Sequence, residues 1–166
     1  MTIKLLTLWA ALFLSGAAVA QNFEVPPLPA SKEEFIKSEP DFIAAAKWLE
    51  TTPIGTGVDK RVQVNAYVIA WLTNSPTVTL EIDAAVSKVC EGNPQLLAVF
   101  WGGCTRYCLE NNYSKDKGKI NTAGMKALIN CYNLGGDVKK NKTLSKAIEA
   151  DKEGKLEDWV KEKLKS

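Results

Sequence analysis

The residues of this 166-residue chain from which chemistry could be built are four cysteines, a pair of carboxylates set among apolar residues, and an arginine–tyrosine pair close after a tryptophan. There is no histidine. That absence removes the commonest general base, the Ser–His and Cys–His nucleophile pairs, and the commonest metal ligand. Carboxylate chemistry of the glycoside-hydrolase kind stays open, with Glu81 and Asp83 as the pair for it. Two carboxylates near a helix start are also what the macrodipole favours, and that structural role is the expectation. Arg106 and Tyr107, near Trp101, could line an anion or glycan site; the plainer alternative is a surface arginine stacked on an aromatic ring. Gly55-Thr56-Gly57 is no phosphate loop, because neither a strand before it nor a lysine after it is in place.

In an exported chain Cys90, Cys104, Cys108 and Cys131 read first as two disulfides. Cys104 and Cys108 fall one turn apart on the same helix face, too far apart to bridge each other without distortion, so each should reach a different neighbour. A helix beginning near residue 95 puts Cys104 roughly 15 Å along its axis and Cys108 roughly 20 Å along. The short linker after Cys90 spans the first distance. The expected pairs are therefore Cys90–Cys104 and Cys108–Cys131, with Cys104–Cys131 as the rival, and such a bridge contributes about 2–4 kcal/mol. No Cys-x-x-Cys knuckle occurs, so neither a structural zinc site nor a dithiol redox centre is expected, and no metal or cofactor is assigned.

Most of these residues must be positioned by the stretch 93–111, NPQLLAVFWGGCTRYCLEN, the most apolar run after the N-terminus. Asn93 suits an N-cap and Pro94 a first helical position. Leu96, Leu97, Val99, Phe100 and Trp101 cover more than one face, which predicts a helix surrounded by others. Gly102-Gly103 weakens that helix by up to about 1 kcal/mol each, and close approach of a neighbour, or a kink, is a use for it.

Ahead of this stretch, residues 1–20 read as a signal peptide: Lys4, the apolar core Leu5 to Leu14, and Ala18-Val19-Ala20 as cleavage site. Residues 21–30 carry Pro26, Pro27 and Pro29 and are expected to be extended, as a free tail or a strap. Residues 31–166 then make a single helical domain. A capping box at Ser31–Glu34 starts a short helix, and Pro40-Asp41 opens a second that ends at Pro53. A third follows Asp59 with a wide apolar stripe of Val62, Ala66, Ile69 and Leu72, joined by Val68 and Trp71. For Thr77 to Val89, alternation suggests a strand and the longer window a helix; length favours the helix. A polar loop runs from Glu110 to Asn121, and Asn121 or Thr122 caps a helix ended by Gly135-Gly136. Two amphipathic pieces divided at Gly154 close the chain. No later run reaches the roughly 18 apolar residues of a membrane span. Lys+Arg of 21 against Asp+Glu of 19 favours neither nucleic acid nor an acidic surface as partner.

The segments SPTVTLEI, NPQLLAVFWGG, RYCLEN and EGKLEDWV resemble a group of small exported helical proteins of unassigned function from Bacteroidetes-type bacteria. The resemblance implies an exported helical domain and carries no catalytic residues. The reading is an all-α compact bundle of six to seven helices around a central apolar helix, cross-linked by disulfides, and exported to the periplasm or beyond. Its expected role is non-enzymatic binding of a protein or small ligand. The alternative is a histidine-free, carboxylate-dependent hydrolase acting on an envelope polymer.

Overall fold

The computed structural model describes residues 23–81 and 83–164. The expected signal peptide lies outside them. Among the described residues there are eight helices and no strand: α1 Lys32–Lys37, α2 Glu39–Thr51, α3 Val58–Asn74, α4 Ala84–Val89, α5 Leu96–Glu110, α6 Lys117–Asn133, α7 Lys142–Lys152 and α8 Leu156–Lys163. The chain is all-α, with eight helices among the described residues where six to seven were expected. No described helix is long and apolar enough to cross a membrane.

The centre is α5, as its composition requires. It packs most extensively on α6 and α2, and also on α3, and nine of its fifteen residues are buried. The glycine pair serves two neighbours at once. A methyl on Gly102 would lie 3.2 Å from Ala46 Cβ of α2, and one on Gly103 would lie 2.6 Å from Ala127 Cβ of α6. On the facing side, a methyl on Gly124 would overlap Cys104 Sγ and come 2.8 Å from the Phe100 carbonyl oxygen. Small residues on both helices thus let the backbones of α5 and α6 approach closely, and the helix continues through the pair without a break.

The entry to α5 differs from expectation. Asn93 does not cap it; a turn through Pro94 and Gln95 leads in, and the fully buried Asn93 amide bonds the connection between α6 and α7. Its Nδ2 donates to the Lys139 carbonyl at 2.8 Å, and its Oδ1 accepts from the Lys139 N–H at 2.7 Å. Asn141 repeats the device, capping α7 through the Leu144 N–H and donating to the carbonyls of Lys88 and Glu91. Two asparagines therefore tie the turn after α4 to the connection between α6 and α7.

Local chemistry sets the other boundaries. Ser31 caps α1 by accepting from the Glu34 N–H, and the Glu34 carboxylate reaches back to the Ala30 N–H. The segment before it is a strap: Phe23 stacks on Trp48 with ring centroids 6.0 Å apart. In α3 the buried face is Arg61, Val64, Tyr67, Val68 and Trp71, whereas Val62 and Ala66 of the expected stripe are exposed. Val68 and Trp71 of that stripe are buried as expected, and Arg61 joins them on the inner face: its guanidinium donates to the Thr52 carbonyl at the end of α2 and lies over the Trp48 ring. Residues 77–81 and Asp83 are not helical; only Ala84–Val89 is, with Asp83 Oδ1 accepting from the Ala85 N–H at 2.6 Å. The loop after α5 is also shorter than expected, because Asp116 caps α6 by accepting from the Lys119 N–H.

The disulfide expectation is overturned. All four cysteines are free and buried. α5 and α6 are antiparallel neighbours joined by a short turn, and Gly103 facing Ala127 with Gly124 facing Phe100 sets their register. That register puts Cys131 across from the start of α5, roughly 18 Å along the axis from Cys108. The Cys104 sulfur fills the notch left by Gly124, the Cys131 thiol faces the Thr52 carbonyl at 3.8 Å, and Cys90 sits on the turn held by Asn93 and Asn141.

Burial pushes all four thiols up, Cys90 to about 12. An unfolded chain loses these protons near pH 8.5–9. Since the folded chain keeps them, the unfolded state binds fewer protons above that pH and stability falls as pH rises. The loss reaches up to about 1.4 kcal/mol per pH unit for each thiol. We expect the thermal midpoint to drop steeply between pH 9 and 11. A thiol-reactive disulfide reagent at pH 8 should label no cysteine quickly in the native protein and four in urea; a constant of fewer than four in urea would show a bridge.

Candidate functional site

A cavity of about 560 Å³ lies beside α5. Its floor is apolar: Phe100 and Trp101 of α5, Ile120 of α6, and Leu164 after α8. One wall is the non-helical segment Thr77 to Glu81; the other is Tyr113 to Lys115 with Lys117 at the start of α6. Cys104 and Cys108 also border it, but both are almost wholly buried and act as part of the packed floor.

Polar contacts hold the two walls at a fixed separation. Glu39, in the first turn of α2, accepts from Thr77 Oγ1 at 2.9 Å and from the Tyr113 hydroxyl at 3.0 Å. One carboxylate thus ties the non-helical segment to the turn after α5. Glu81 and Lys117 form a second tie at 2.7 Å. Tyr113 reaches Glu39 because Asn112 and Tyr113 both take left-handed backbone angles, φ 53° and 55°, a costly conformation outside glycine. The Tyr113 N–H closes that turn on the Cys108 carbonyl at 2.8 Å.

The residues singled out from sequence are dispersed. Trp101 is half-buried in the cavity floor. Arg106 faces away from it, with Nη1 2.5 Å from Glu50 Oε2 and Nε 3.7 Å from Glu110. Glu50 also accepts from Asn130 Nδ2 at 2.7 Å, so Arg106 belongs to an ionic lock joining α2, α5 and α6. Tyr107 borders a second, more open depression of about 480 Å³, crossed by the Lys126–Asp151 ion pair. Glu81 and Asp83 both border the main cavity, but Glu81 is paired with Lys117 and Asp83 caps α4. Among the described residues no group of three or more Cys, Asp or Glu is gathered to hold a metal ion.

Sequence reasoning missed the wall residues Thr77, Thr79, Glu39 and Tyr113. The alternation of Val78 and Leu80 with Thr79 and Glu81 was a signal of extended chain, outweighed there by the longer apolar window. Nothing in the sequence alone pairs Glu39 with residues 38 and 74 positions away. No protein-family model, curated protein or solved structure matches the chain, so the cavity itself carries the functional reading.

Proposed function

We propose that this protein is an exported, non-enzymatic binding module whose ligand site is the cavity between the segment 77–81 and the α5–α6 turn. The observation that carries this is the pairing of an apolar floor with a rim of polar groups already engaged with one another. A site of a few hundred Å³ with apolar lining and a few fixed polar groups is the usual form of a small-ligand site. The carboxylates at the rim are committed to a cation and to a helix cap, which suits holding the walls rather than proton transfer. Export to the periplasm or beyond rests on Lys4, the Leu5–Leu14 core and Ala18-Val19-Ala20, and agrees with the resemblance to small exported proteins of Bacteroidetes-type bacteria.

Titration of the folded protein with anilinonaphthalene sulfonate, an amphipathic fluorescent probe, tests the site. We expect saturable binding that weakens at least about tenfold in Trp101→Ala, which loses much of the aromatic floor, and stays unchanged in Tyr107→Ala. Equal binding by wild type and Trp101→Ala, or loss on Tyr107→Ala alone, would move the site elsewhere.

A further inference from the structure

The wall formed by Thr77 to Glu81 bends at Pro76 and Thr77 and then runs on outside any helix, and among the described residues no strand lies beside it. The Ser75 hydroxyl accepts from the N–H groups of Thr77 and Val78 and fixes where it begins. Beyond that point no backbone hydrogen bond joins Thr79, Leu80 or Glu81 to another described residue. Val78 is buried and Leu80 half-buried, while Thr79 and Glu81 are exposed, so the side chains alternate as they do in a strand lying on a core. Yet all five consecutive residues border the same cavity. A single face of an extended chain presents only every second residue. A cavity touched by all five therefore follows the segment along its length, beside the unpaired backbone of residues 79–81 as well as the side chains.

We propose that the ligand is an extended peptide that adds to this edge as a β-strand. The proposal rests on the cavity being the binding site. Backbone pairing to residues 79–81 would supply hydrogen bonds that depend little on sequence, and alternate side chains of the peptide would enter the floor of Phe100, Trp101 and Ile120. Five residues of strand span roughly 16 Å, so the peptide contact is about four to six residues long. The apolar floor selects apolar residues at every second position. The ties from Glu39 and Lys117 hold the edge in place before the peptide arrives, which lowers the ordering cost of binding.

The test uses the folded full chain and a panel of blocked hexapeptides alternating threonine with valine, leucine or phenylalanine. Each peptide is compared with two N-methylated forms, methylated at odd or at even residues. In a β-pair only alternate N–H groups face the partner, so one methylated form should bind at least about tenfold more weakly than its parent while the other stays within a few-fold. Protection of amides within 79–81 from hydrogen exchange should accompany binding. Equal binding of both methylated forms would overturn strand addition and leave a cavity that takes side chains alone. If no peptide of the panel binds while anilinonaphthalene sulfonate still does, the peptide is the wrong occupant and the cavity reading stands; if neither binds, both fall. A dimer whose 79–81 amides are protected without peptide would make a second copy of the chain the occupant instead.

Discussion

Replacing Gly124 by alanine should destabilise the protein by about 2 kcal/mol, although the same change at an exposed helical glycine stabilises by about 1 kcal/mol. The sign is the informative part. A methyl at this position meets Cys104 Sγ, Phe100 Cε2 at 3.0 Å and the Phe100 carbonyl oxygen at 2.8 Å. The thiol can turn but the backbone oxygen cannot, so α5 and α6 must separate. Because the two helices form the most extensive contact in the fold, that separation also loosens the α2 and α8 contacts made by α6. Gly103→Ala should cost a similar amount, since Ala127 Cβ and the Ala123 carbonyl oxygen lie 2.6 and 3.1 Å from the new methyl. Gly102→Ala should cost least, because its nearest neighbour is Ala46 Cβ at 3.2 Å. Urea unfolding midpoints of the three variants check the order; a stabilised Gly124→Ala would mean that the helices are not in close contact.

Glu50→Ala should cost about 3 kcal/mol. Glu50 is 8% exposed and receives Arg106 at 2.5 Å and Asn130 at 2.7 Å. Its removal strands a guanidinium and an amide at the junction of three helices. The Arg106 side chain is 20% exposed, which lets water reach it and keeps the effect below that of a fully buried pair. Arg106→Met should cost less, because Asn130 still holds Glu50. The double variant Glu50→Leu/Arg106→Met should recover most of the loss, as apolar replacements of an ion pair commonly do. A double-mutant cycle with a coupling near zero would show that the pair merely decorates the surface.

The parts of the fold legible in the sequence were those governed by local rules. Ser31, Gly135-Gly136 and Gly154 marked helix ends through capping and left-handed turns, and the apolar excess of 96–101 marked the central helix. What stayed hidden depended on partners distant in the chain. Asn93 looked like a cap, but its amide is satisfied by Lys139, 46 residues away. Arg61 of α3 is buried, although charge alone assigns such a residue to the surface. The cysteines looked like two bridges because their number was even and an export signal preceded them. Their sulfurs instead pack as small hydrophobes in notches such as the one beside Gly124. For the candidate site, Trp101 was visible as an aromatic in an apolar run near Arg106 and Tyr107, while its opposite wall was misread as helix from Thr77 onward.

The most direct measurement is an amide-resolved NMR titration of the folded, isotopically labelled protein with anilinonaphthalene sulfonate. A ligand in the main cavity should shift the amides of Thr77 to Glu81, Trp101 and Tyr113 to Lys117, and leave Lys119, Thr122 and Lys126 around the second depression unchanged. Shifts confined to that second group, or none at saturating probe, would contradict the assignment of the cavity as the binding site.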